Sequence, residues 1–219
     1  MATYDELCEN LKTPGPLAWA SFIALSLLGT DISILKLIEL SQSPDWRFRR
    51  SAIEAMAYHP QVEKAIGTIH RALEDSSHYV ISAALQSIAR IRIQSFHDDV
   101  VDLLKSTTPS IKVDAIATLS EIWRIEDFEI IYNIFLSEKN EKIRNTVAWI
   151  LRVHVTENNW YKLFDIWWKD PYKHCRTWSC ELASTFGIKG VEKQLLTLTS
   201  DEDGHVRKAA RKALEIIHP

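Results

Sequence analysis

Six glycines and seven prolines punctuate 219 residues, too few for the repeated tight turns of a β-sandwich or barrel. Three cysteines, Cys8, Cys175 and Cys180, are too sparse for a disulfide framework, and no two are separated by the two-residue gap of a zinc site. A reducing, cytoplasmic compartment is therefore expected. No apolar run is long enough to cross a bilayer. The longest, LAWASFIALSLLG from Leu17 to Gly29, follows Asp5, Glu6 and Glu9, the wrong flank for a signal peptide, and reads as a buried helix. An excess of one charge is missing too: ten basic and thirteen acidic residues precede Pro109, and sixteen of each follow, for a net charge of −3. No basic half invites nucleic acid, and no acidic tail is present. At 46% hydrophobic and 25% charged, the chain has the balance of a globular protein.

What the chain does contain is a repeat of 31 or 32 residues, marked at Arg49, Ile81, Lys112, Arg144, Arg176 and Arg207. Six places before each marker stand Ser43, Asp75, Ser106, Glu138, Asp170 and Asp201, residues that end one helix and open the next. One place before, every residue is apolar. Three places after come Ala52, Ala84, Ala115, Val147, Ser179 and Ala210; seven after come Met56, Ile88, Leu119, Leu151, Ala183 and Leu214. A small residue followed by a mostly larger one on a single face predicts a helix in each unit, preceded by another such as DISILKLIELSQ or QVEKAIGTIHRALE. NTVAWILRVHV alternates and is β-branched, so alone it would suit a strand, but its place in the frame predicts a helix. Extended back to Leu17, the frame puts Pro16, Ala20 and Ala24 in the packed columns and Ala18, Phe22 and Leu25 in columns that elsewhere face water. Residues 1–13 or another chain are then expected to cover those three.

An acid, five residues, a base, two residues, an alanine, three residues and a large apolar side chain: this pattern resembles the short HEAT-like repeat of phycobilisome bilin-lyase subunits, over roughly Asp31 to Ile217. The resemblance implies an all-α fold, a right-handed α-solenoid superhelix of about seven helix-turn-helix units. A single domain, 1–219, is expected, with 1–30 an atypical N-terminal capping repeat, 31–187 central repeats and 188–219 a C-terminal capping repeat. It further implies a structural ladder in which Arg49, Lys112, Arg144, Arg176 and Arg207 meet Asp75, Glu138, Asp170 and Asp201 or helix-end carbonyls. Ile81 interrupts the ladder.

Positions one, five and eight after the marker lie opposite the packed face, which lines the concave surface in HEAT-like solenoids. They include Arg50, Glu54, Gln86, Asn145, Trp149, Arg152 and Glu181. Trp149 stands out there, with Arg152 a turn away and Trp178 one unit on, a combination suited to anchoring a partner. Trp160, Leu163, Phe164 and Trp167 share a core face, while Tyr161 and Trp168 flank it as a seal or an apolar patch for self-association.

The function expected from these features is a non-catalytic scaffold or adaptor, binding a protein or peptide on its concave face, without cofactor or metal. Self-association through the N-terminal repeat or the Tyr161/Trp168 patch is a further expectation. The alternative is a HEAT-like enzyme acting on a small molecule or nucleic acid around Trp149, Arg152 and Trp178, of the bilin-lyase or alkylpurine DNA glycosylase type. The HEAT-repeat iron enzyme deoxyhypusine hydroxylase uses histidine-glutamate pairs, and no such dipeptide occurs among the eight histidines here. Arrays this compact are expected of bacteria or archaea.

Overall fold

The computed structural model describes residues 3–217, which form fourteen α-helices, three short 3-10 turns and no strand. The helices pair along the chain: α1 (Tyr4–Asn10) with α2 (Pro16–Leu28), α3 (Asp31–Leu40) with α4 (Trp46–Met56), α5 (Ile66–Arg71) with α6 (His78–Ile91), and α7 (His97–Leu103) with α8 (Pro109–Glu121). Then come α9 (Asp127–Ser137) with α10 (Glu141–His154), α11 (Trp160–Trp167) with α12 (Lys173–Thr185), and α13 (Glu192–Leu198) with α14 (Gly204–Ile217). This is an α-solenoid. The chain divides into two compact units, Met1–Thr146 and Val147–Pro219, with the division inside α10.

In the first unit the second helices of successive pairs stack, α4 on α6 and α6 on α8. Buried Ala52, Ala84 and Ala115 let these backbones approach, and Ile53, Leu85 and Ile116 fill the space beside them. Small hydroxyls tie the layers: Ser87 Oγ donates to the Ile53 carbonyl at 3.2 Å and Thr118 Oγ1 to that of Leu85 at 3.0 Å. Arg49 is held twice. Its Nε and Nη2 each donate to Asp75 at 2.8 Å, and Nη1 donates to the carbonyls of Ser43 and Pro44. Lys112 reaches Glu138 at 3.1 Å, and the Arg144 guanidinium lies 4.1 Å from the centre of the Phe135 ring. Ile81, half-buried, stands where a base would.

In the second unit α12 packs along α14. Arg176 donates to Asp201 at 2.7 and 3.0 Å and to the carbonyls of Asp170 and Pro171 at 2.9 and 3.0 Å. Asp170 is buried and accepts from the Tyr172 N–H at 2.8 Å. Arg207 donates to the carbonyls of Asp201 and Glu202, closing its own turn.

Three expectations need correction. The repeat frame slips by one residue in α2: Ala18, Ser21, Phe22 and Leu25 face the core, whereas Ala20 is exposed and Leu17 is 68% exposed. Phe22, 2% exposed, meets Phe48 of α4 at 5.7 Å between ring centres, and α1 packs on α2 with Leu7 and Leu11 buried. Ala18, Phe22 and Leu25 are thus ordinary core; Met1 and Ala2 of the expected 1–13 cover lie outside the described residues. Ala57, eight places after the Arg49 marker and so expected on the solvent face, is buried, because α4 ends at Met56 and Ala57 is its C-cap rather than part of an exposed helical face. The stretch QVEKAIGTIHRALE is no continuous helix but a 3-10 turn (Val62–Ala65), α5 and another 3-10 turn (Ala72–Glu74). Gly67 between β-branched Ile66 and Thr68 gives it weak helical propensity.

Candidate functional site

In the first unit a groove of about 700 Å³ opens between α2 and α4. Its α2 wall is Trp19, Phe22, Ile23, Ser26 and Leu27; its α4 wall is Trp46, Arg47, Arg50, Ser51, Glu54 and Ala55, with Tyr58 closing one end. The volume is within the range of ligand sites, and the lining is mostly apolar with a few polar groups along one side. Pro16 begins α2 and Gly29, at φ +64°, ends it, so the chain turns sharply into α3. A Cβ on Gly29 would meet the Pro60 ring at 3.2 Å. Aromatic contacts set the floor: Trp19 lies 5.6 Å from Phe48 and 6.1 Å from Phe22. Trp46 stacks on Tyr79 at 4.5 Å, and the Arg90 guanidinium sits 3.6 Å from the centre of the Tyr58 ring.

Arg50 and Glu54, two of the residues singled out in the sequence, lie in this groove and pair with each other at 2.7 Å. Arg47 pairs with Asp45 at 2.6 Å. Gln86 is exposed on α6 beside Ala89, Arg90, Arg92 and Glu121, and Asn145 is half-buried on α10. Trp19, Trp46 and Tyr58 escaped the sequence reading. Trp19 comes into register only when α2 slips by one residue, and Trp46 and Tyr58 fall three places before and nine places after the Arg49 marker.

Trp149, Arg152, Trp178 and Glu181 meet in the second unit. Trp149 is 50% exposed and lies 6.1 Å from the half-buried Trp178. The Arg152 guanidinium is 5.5 Å from the centre of each ring and donates to Glu181 at 2.9 and 3.1 Å. Tyr172, His174 and the buried Trp167 complete the surroundings of Trp178. With its charge shared between Glu181 and two ring faces, Arg152 is poorly disposed to hold a phosphate. On α11, Leu163, Phe164 and Trp167 are buried, Trp160 and Trp168 are half-buried and Tyr161 is exposed.

Two buried histidines invite a catalytic reading. The Gln61 N–H donates to His59 Nδ1 at 3.0 Å, so Nε2 carries the proton and points it at Ser33 Oγ, 2.9 Å away. No ring lone pair faces that hydroxyl, and burial holds His59 below its usual range, so the pair is a structural clasp rather than a nucleophile and its base. His97 is enclosed between Asp127, at 2.8 and 2.9 Å, and Asp98, at 3.0 Å, with Asp127 also accepting the Arg124 N–H. Cys175 and Cys180 are buried, and burial pushes the Cys180 thiol up to about 12. Among the described residues no three His, Cys, Asp or Glu side chains cluster as metal ligands, and no helix is long and apolar enough to cross a membrane.

The family model for HEAT repeats matches residues 34–120. This part of the chain is built of HEAT repeats. It contains the α4 wall of the groove, while α2 lies before it. Among solved structures, the E. coli protein YIBA_ECOLI aligns with a TM-score of 0.66 at 16% identity, over 99% of this chain and 92% of that one. A chain from the complex of CpcE and CpcF of phycocyanin lyase from Nostoc sp. PCC7120 aligns with a TM-score of 0.57 at 15% identity, over 98% and 87%. An engineered protein aligns with a TM-score of 0.58 at 14% identity, over 99% and 68%. At these identities the likeness is one of HEAT-type fold. No curated protein matches the sequence.

Proposed function

We propose that this protein is a non-catalytic binding scaffold that grips another protein or a peptide on the exposed face of its second helices, with the α2/α4 groove as the principal seat. The groove itself supports the reading most: an apolar trough walled by Trp19, Trp46 and Tyr58, whose charged neighbours already neutralise one another. Apolar floors with aromatic anchors and paired rim charges suit desolvation by a partner's side chains. Trp149 offers a lesser second contact. A catalytic reading around Trp149, Arg152 and Trp178 has less support, since Arg152 is engaged by Glu181.

Placing a photo-crosslinking amino acid at Tyr58, and separately at Trp149, tests the proposal in the source cell. The expected result is one defined partner segment attached at Tyr58, identified by peptide mass spectrometry, and lost in a Trp19→Ala/Trp46→Ala variant. Absence of any adduct at both positions would refute it.

A further inference from the structure

The groove adjoins a helix face that is itself out of place. Alone among the α-helices of the described residues, α2 has no Asp, Glu, Lys or Arg, over thirteen residues. A helix apolar all round is ordinarily covered all round. Yet Ile23 is 62% and Leu27 77% exposed, and with Leu17 and Ala20 they form one arc opposite Ala18, Phe22 and Leu25 in the core. Because Ile23 and Leu27 also form part of the groove wall, one occupant lying along α2 would cover both features.

The groove restricts what that occupant is. Its backbone groups lie within helices, apart from Tyr58, whose N–H donates to the Ala55 carbonyl, and Ser26 Oγ donates to the Ile23 carbonyl at 2.8 Å. An extended segment would bury peptide groups with no partners, which opposes binding. A helix brings its peptide groups already bonded. Its contacting face must also be uncharged, since the Arg47–Asp45 and Arg50–Glu54 pairs leave no net charge to meet. The chain displays such a helix on its own surface.

We infer that the groove receives α2 of a second copy of this chain. The two α2 helices, each about 20 Å long, lie against each other across a two-fold axis, burying Leu17, Ile23 and Leu27 of both copies. The inference rests on the groove being a protein-binding site and names its partner. An isologous contact of this kind closes at two copies. A head-to-tail contact is disfavoured, because α14 exposes Lys208, Arg211 and Lys212, whose charges would be buried against an uncharged helix.

Sedimentation equilibrium should give twice the 25.2 kDa chain mass. Leu27→Glu and Ile23→Lys should each weaken association about 100-fold or more, by burying a lone charge at the contact. Their helical circular dichroism should be unchanged, as both side chains face solvent within one copy. Leu196→Glu, also exposed but on α13, should leave the dimer intact. In a mixture of light and heavy-nitrogen protein, a photo-crosslinker at Tyr58 should join the two isotopic forms through residues 17–28. A monomer at about 100 µM, a dimer that survives both charge substitutions, or inter-copy links mapped elsewhere would overturn the inference. A monomer whose Tyr58 crosslinker captures a helix of a different protein overturns the inference but leaves the scaffold proposal standing. A monomer that captures nothing at Tyr58 or Trp149 overturns both.

Discussion

Arg49 joins two turns by donating to the Asp75 carboxylate and to the carbonyls of Ser43 and Pro44. Arg49→Ala leaves a largely buried carboxylate without its counter-ion, with the Ser77 N–H still donating to it, and two carbonyls unmet, and should lower unfolding free energy by about 1–3 kcal/mol in urea titrations. Arg47→Ala, whose pair with Asp45 is exposed, should have little effect. The Arg49 hydrogen bonds hold Asp75 below the usual carboxylate range, against the opposing effect of burial. As pH falls, the unfolded chain takes up the Asp75 proton first. The stability this group supplies is therefore complete above about pH 4 and is lost as pH falls through the lower folded pKa. The urea midpoint of the wild type should consequently fall more steeply below pH 4 than that of Asp75→Asn. At Cys180 burial keeps the thiol protonated, so a thiol reagent at pH 8 should modify only Cys8 in the native protein. In denaturant all three cysteines should react.

At the scale of the element, α2 shows how a repeat frame can be right in kind and wrong in phase. From α4 onward a base or its substitute and a buried alanine, valine or serine three places later fix the register, but α2 has no base and so many apolar residues that several phases fit equally well. Packing against α1, α3 and α4 selects the phase that buries Phe22. In the monomeric Leu27→Glu background, Phe22→Ala should therefore cost about 3–5 kcal/mol and Leu17→Ala should stay within about 0.5 kcal/mol, compared by thermal and urea unfolding. The reverse ranking would restore the unshifted frame. α10 illustrates the opposite case: its alternating, β-branched stretch is helical because Ile143, Val147, Ile150 and Leu151 bury one continuous helical face.

For the whole molecule, the division inside α10 leaves one question of cooperativity. We propose that residues 1–219 fold as a single domain, since the buried face of α10 runs unbroken past Val147. Five of the eight tryptophans, Trp149, Trp160, Trp167, Trp168 and Trp178, lie in the second compact unit, whereas most helical residues lie in the first. Tryptophan fluorescence and far-ultraviolet circular dichroism thus weight different units. Their urea transitions should coincide, and separated midpoints would show that the units unfold independently.

Read alone, the sequence determined the helical class, the period and the pairing of helices, because each is repeated and a periodic signal survives local exceptions. It also brought Trp149, Arg152 and Trp178 to attention, but not that Glu181 would neutralise the arginine. Only the tertiary structure decided the phase of α2, the groove beside it and the arc left bare. Those depend on which neighbouring helix covers which side of α2, and a helix apolar on every side carries no mark in its own residues of the side that stays uncovered.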